Sequence, residues 1–207
     1  QPAAGDAGGA LGAAFAAWHL YHDKERQVSK NQDLMQGSFL GPEFTNDEIE
    51  LALTKCGAKF IKLSDNKIIE EVVNAIIDQK AIGWMQGRLE FGPRALGARS
   101  ILADPRSQVM QRQLNFKVKY RESFRPFAPS ILKEQVHNWF DCDIESPYML
   151  FVGKLNAKQR IQIKTNEKAL FGIDKLSVTR SSVPAVTHVD YSARIQTVHR
   201  DRNPLYY

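Results

Sequence analysis

The spacing of apolar side chains divides this chain into short helical and short extended stretches. Ile69, Val72, Val73, Ile76 and Ile77 recur at helical intervals and predict an amphipathic helix from Ile68 to about Gln79, capped by Ser64 or Asp65. Thr45-Asn-Asp-Glu-Ile carries the side chains of a helix start and predicts a helix to about Lys55. An alanine-rich helix is predicted from Ala10 to about His22, with shorter ones over residues 107–115 and Glu134–Phe140. Alternation and β-branching predict strands at Lys59–Leu63, Ala81–Gln86, Met149–Leu155, Ala185–Asp190 and Ala193–Val198. Helices and strands interleave, so the expected class is α/β, with α+β the alternative. The polar residues 23–43, ending in Leu40-Gly-Pro, read as a linker. No internal repeat is visible. Gln1 is not an initiator methionine and Asn203-Pro-Leu-Tyr-Tyr207 offers no closing element, so the chain is expected to be a piece of something longer.

Composition changes this picture little. At 207 residues, 43% hydrophobic and 25% charged, the chain can bury one good core or two small ones. No apolar run approaches the ~20 residues that cross a bilayer, and no basic leader opens the chain, so no membrane partner and a cytoplasmic location are expected. Cys56 and Cys142 are far apart and fit no metal or redox spacing. A net charge of +5 points to an anionic ligand, but it is too small for a dedicated nucleic-acid binder.

The charge is concentrated. Gly87-Arg-Leu-Glu-Phe-Gly-Pro-Arg-Ala-Leu-Gly-Ala-Arg-Ser-Ile-Leu-Ala-Asp-Pro-Arg106 is followed closely by Asn115-Phe-Lys-Val-Lys-Tyr-Arg-Glu-Ser-Phe-Arg-Pro-Phe-Ala-Pro129. From Arg88 to Arg125 there are seven arginines and two lysines against Glu90, Asp104 and Glu122, a local +6 that leaves the rest of the chain close to neutral. Guanidinium forks on backbone stiffened by glycine and proline make a rigid site for phosphate or carboxylate. The bland alternative for Arg88, Arg99, Arg121 and Arg125 is pairing with those three carboxylates to hold the loops. Glu90 is placed to orient a guanidinium; direct proton transfer is its other reading. Near the start, Gly5-Asp-Ala-Gly-Gly opens onto a helix, which suits phosphate binding, yet it fits neither a P-loop nor a dinucleotide fingerprint. A lone His188 in Val-Thr-His-Val-Asp reads as structural, satisfied by a neighbour such as Asp190.

The two arginine motifs, together with Ala4-Gly-Asp-Ala-Gly-Gly9, Leu40-Gly-Pro, Ser146-Pro-Tyr-Met149, Ala185–Asp190 and Ala193-Arg-Ile-Gln-Thr-Val198, resemble the C-terminal part of the O-carbamoyltransferases that tailor antibiotics and nodulation factors. The resemblance covers nearly the whole chain. It implies that residues 1–43 are the C-terminal tail of an actin/Hsp70-like carbamoyl-transfer domain plus linker. Residues 44–207 would then be most of a YrdC-like domain, a twisted mixed sheet with flanking helices. It further implies ATP and carbamoyl phosphate as ligands, carbamoyladenylate as product, and a hydroxyl-bearing acceptor served by the other domain. Arg94 and Lys119 fall on the family's carbamoyl phosphate pocket, with Arg88, Arg99, Arg121 and Arg125 as further binding candidates. Gly8 and Gly9 would approach nucleotide phosphates, and Asp6 matches an iron ligand whose histidine partners lie elsewhere. The chain alone is therefore expected to hold no metal and to be catalytically incomplete. The rival readings are an RNA-binding module of the same fold and an anion sensor without chemistry. The first is disfavoured because the cations sit among glycines and prolines, not in a basic stripe with stacking aromatics.

Overall fold

The computed structural model describes residues 2–28 and 33–207; Gln1 and residues 29–32, within the stretch read as a linker, lie outside the described residues. Six α-helices and six strands alternate through them: α1 (Asp6–Ala16), α2 (Asn46–Lys55), α3 (Asp65–Ile77), β1 (Ile82–Met85), β2 (Arg99–Leu102), α4 (Met110–Lys117), β3 (Ser130–Leu132), α5 (Val136–Trp139), β4 (Val152–Lys154), α6 (Thr165–Lys168), β5 (Ser192–Arg194) and β6 (Gln196–Val198). The class is mixed α and β. Where a single mixed sheet was expected, the described strands form three two-stranded ladders: β1–β2 and β4–β5 antiparallel, β3–β6 parallel.

Local chemistry explains the starts of α2 and α1. Thr45 caps α2 reciprocally: the Glu48 amide donates to the Thr45 hydroxyl, and the Thr45 amide donates to the Glu48 carboxylate. Helix α1 begins at Asp6, four residues before the expected start, because the Gly8 and Gly9 amides already donate to Ala3 O and Gly5 O at 2.8 Å. A Cβ on Gly8 would collide with that Ala3 carbonyl, so the tight first turn requires glycine. The helical path continues as a π-helical turn, Ala17–Tyr21.

Two expected strands do not form. Lys59–Leu63 is extended and exposed with no ladder partner. Ala185–Asp190 is preceded by Pro184, which opens a 3₁₀ turn over Pro184–Val186, and the chain then reverses as the Tyr191 amide donates to His188 O. Ala193–Val198 is extended but divides at Ile195, with β5 pairing β4 and β6 pairing β3. Ile195 is fully buried at that switch.

The core lies under these last strands. Val136, Phe140, Leu155, Val183, Val186, Ala193 and Ile195 form one cluster, Met110, Leu114 and Ala185 a second, and Phe127 packs on both. The polar segment read as a linker is laid along the arginine loop: Phe91 N donates to Ser38 O, Gly41 N to Leu89 O and Leu89 N to Pro42 O.

Candidate functional site: a cationic cleft

The first arginine motif is a hairpin. β1 and β2 pair from Ile82↔Leu102 to Met85↔Arg99, and the long connection between them folds around Glu90. The Glu90 side chain is fully buried. One carboxylate oxygen accepts the amides of Leu96 (2.9 Å), Ala98 (2.8 Å) and Arg99 (3.1 Å); the other accepts Arg99 Nε at 2.8 Å. Arg99 also donates to the Glu90 carbonyl at 2.7 Å. Burial opposes ionisation of Glu90, but these donors outweigh it and hold the carboxyl below the usual glutamate range. Glu90 therefore organises the loop through Arg99 and the backbone. Asp104, also buried, does the same at the hairpin's exit, taking Arg106 through its amide (2.9 Å) and guanidinium (2.7 Å) and Gln79 Nε2 at 3.1 Å. The Arg106 hydrogen bond is the main cause of its lowered carboxyl pKa.

The second motif is organised by a neutral side chain. Asn115, at the end of α4, is fully buried. Its Nδ2 donates to the Ser123 and Arg125 carbonyls at 3.1 and 2.8 Å, and its Oδ1 accepts Arg121 Nε at 2.6 Å. The Arg121 guanidinium lies over the Phe127 ring, 5.0 Å from its centroid.

Between the two motifs lies a cleft of about 610 Å³. Arg94, Lys119, Arg121 and Arg194 line it, and no described residue in its lining is an aspartate or glutamate. Arg94 Nε is buried there without a hydrogen-bond partner among the described residues. Burial, and then the charge of Arg94, depress the pKa of Arg194. Cations crowded together with no carboxylate to neutralise them, one with an unused buried donor, form a site whose electrostatics are completed by an anion.

The expected residues divide around this cleft. Arg94, Lys119 and Arg121 meet in it. Arg194 joins them and was not read from the sequence, where nothing in Ala193-Arg-Ile-Gln-Thr-Val198 sets it apart as a site residue. Arg99 is spent on Glu90. Arg125 pairs at the surface with Glu122 at 2.9 Å. Arg88 donates to Gly41 O at 3.1 Å and lines a separate cavity of about 820 Å³ with Asp33, Glu43, Asp201 and Arg202, whose mixed charges offer an anion no net attraction. Asp6 stands exposed in the first turn of α1, and the Gly8 and Gly9 amides are occupied by the backbone.

Residues 73–207 match the family model described as Carbamoyltransferase C-terminus. The chain belongs to that family. An uncharacterized protein of Synechocystis is 53% identical over the whole of this chain, which spans 34% of it. The nodulation protein NolNO of Sinorhizobium fredii is 39% identical, again over the whole chain and 27% of its own length. A 3'-hydroxymethylcephem-O-carbamoyltransferase of Amycolatopsis lactamdurans is 37% identical over 65% of this chain and 22% of its own. The chain thus spans about a third or less of these curated relatives. None of the described helices is long and apolar enough to cross a membrane.

Proposed function

We propose that this chain is the carbamoyl-activating part of an ATP-dependent O-carbamoyltransferase, and that the cationic cleft receives carbamoyl phosphate beside the phosphates of ATP. The observation that carries the reading is the convergence of Arg94, Lys119, Arg121 and Arg194 on one cleft lined by no described carboxylate. Family membership and the carbamoyltransferase among the relatives supply the reaction class. In this reading residues 44–207 are the YrdC-like unit, and residues 1–43 are the tail of the actin/Hsp70-like carbamoyl-transfer domain and its linker. The enzyme works in the cytoplasm.

The chemistry asks the cleft for charge neutralisation. Carbamoyl phosphate is dianionic and ATP adds more negative charge, so the reactants repel one another until fixed cations screen them. Arg94 can grip phosphate bidentately through its fork, while Lys119 acts as a point charge. ATP supplies the adenylyl group; carbamoyladenylate forms with loss of pyrophosphate and passes to an acceptor hydroxyl in the other domain. Iron belongs to that other domain. Among the described residues there is no cluster of three His, Cys, Asp or Glu that could hold a metal; in this reading Asp6 would serve iron only beside ligands from that domain.

The test is a titration of carbamoyl phosphate against the full-length protein and its variants, paired with melting curves. Arg94→Ala and Lys119→Ala are each expected to weaken binding roughly tenfold, the loss of a charge-assisted contact, with little change in melting temperature. Arg94→Lys should be nearly as damaging as Arg94→Ala, because an ammonium cannot reproduce the fork. Wild-type affinity in both alanine variants sinks the pocket assignment. Steep loss of polynucleotide binding with salt, without carbamoyl phosphate binding, would favour the RNA-binding rival. Release of pyrophosphate from carbamoyl phosphate and ATP rules out a sensor without chemistry.

A further inference from the structure

The four cations of the cleft come from three separate pieces of chain. Arg94 is on the hairpin connection, Lys119 and Arg121 follow α4, and Arg194 ends β5. Glu90 fixes the hairpin internally, but it touches neither of the other pieces. Something must set the distance between Arg94 and the rest.

A directed chain of hydrogen bonds runs from the C-terminal segment to the hairpin. Tyr206 Oη donates to Ser130 Oγ at 2.7 Å. Ser130 Oγ donates to Gln196 Oε1 at 3.0 Å. Gln196 Nε2 donates to the Leu96 carbonyl at 2.7 Å. Every donor in the series meets an acceptor, and the last acceptor lies two residues from Arg94. The relay also closes on itself through packing. The Tyr206 ring sits against Gly97, where a Cβ would overlap it, and Gly97 has φ +106°, a conformation that favours glycine. Leu96 and Gly97 are thereby held between Glu90, which takes the Leu96 amide from inside, and the relay, which takes the Leu96 carbonyl from outside. Gln196 opens β6 two residues beyond Arg194, so the relay ties the extended segment that carries Arg194 to the loop that carries Arg94. Burial raises the Tyr206 phenol pKa, so it remains a neutral donor.

We propose that Tyr206, Ser130 and Gln196, which line the wall of the cleft, are positioning residues that fix Arg94 at its working distance from Arg194 and set the grip of the cleft on phosphate through Arg94. This rests on the reading of the cleft as the carbamoyl phosphate site. It also gives a role to the Asn203–Tyr207 end, which the sequence left without one.

The experiment is a double-mutant cycle in the full-length protein, read as carbamoyl phosphate affinity by calorimetric titration. Tyr206→Phe keeps the ring on Gly97 and removes only the first donor; it should weaken binding about threefold. Gln196→Leu removes both the acceptor for Ser130 and the donor to Leu96 and should weaken binding roughly tenfold. Each, combined with Arg94→Ala, should cost nothing beyond Arg94→Ala alone, because both act through Arg94. A structural defect unrelated to Arg94 would add to it, and additive losses overturn the proposal. If Gln196→Leu fails to fold, the Tyr206→Phe cycle decides. If Arg94→Ala weakens binding while both relay variants bind as wild type, only the relay falls. If Arg94→Ala itself is silent, the site reading falls, and the relay with it.

Discussion

Helix α3 and the hairpin after it use their sequences in opposite ways. The helix has thirteen residues, a face of five branched apolar side chains, and no buried position. Ile69 is 40% exposed, Val73 47% and Ile77 57%. The hairpin is rich in arginine, yet it carries Glu90 and Asp104 at 5% and 2% exposure. Burial here follows partners more closely than polarity. A carboxylate that accepts three amides and a guanidinium has exchanged its water for better-placed donors, and it can be covered. An apolar helix face is covered only if another surface lies over it, and α3 meets little beyond its contact with β1. The carboxylates of the polar loop are therefore better covered than the apolar face of the helix.

The sharpest way to break that contrast is Glu90→Ala. It leaves three loop amides and a guanidinium without their acceptor, and the expected loss is about 3 kcal/mol of stability. That corresponds to a fall in melting temperature on the order of 10 °C for a chain of this size. A fall under about 2 °C would mean the loop holds itself without its carboxylate.

Acid should reach the same contacts more gently. The folded-state pKa values of Glu90 and Asp104 are depressed, so their contribution is complete above the ordinary carboxylate range and is lost as pH falls through the lowered values. Stability measured from neutral pH downward should fall below that range, and Glu90→Gln should flatten part of the decline. An identical pH profile in wild type and Glu90→Gln would remove Glu90 from the account. The smallest effect belongs to the helix. Ile77→Ser on the exposed face of α3 should change stability by within about 0.5 kcal/mol, read by denaturant titration. A loss well above that in the full-length protein would show that another surface covers the face.

The same contrast explains what was legible in the sequence. The helical period of Ile69 to Ile77 and the Thr45–Glu48 cap are local signals, and both helices lie where the pattern puts them. β1 was legible as an apolar run; its partner β2 was hidden inside the arginine motif, where Arg99–Leu102 is masked by charge. Lys59–Leu63 has strand composition and no strand to pair with, and a ladder is a property of two segments. Ala185–Asp190 has β-branched residues, but Pro184 ahead of it governs the turn. At the site, residue type marked Arg94, Lys119 and Arg121. Sorting Arg99 and Arg125 from them required knowing which carboxylate each meets. Arg194 and the Gln196–Ser130–Tyr206 relay are long-range features, visible only once β3 and β6 are side by side.

Ile195 has a kinetic consequence. It is sealed in the core while Arg194 and Gln196, on either side of it, face the cleft. β6 pairs in parallel with β3 across 66 residues of chain, and such distant parallel pairing carries a large loop-closure cost and closes slowly. The expectation is that the cleft is among the last parts of the molecule to be completed on refolding, which stopped-flow refolding followed by anion binding would check. An anion that binds only the finished cleft would leave the rate of that pairing unchanged and would instead hold it closed once formed, slowing its opening by mass action.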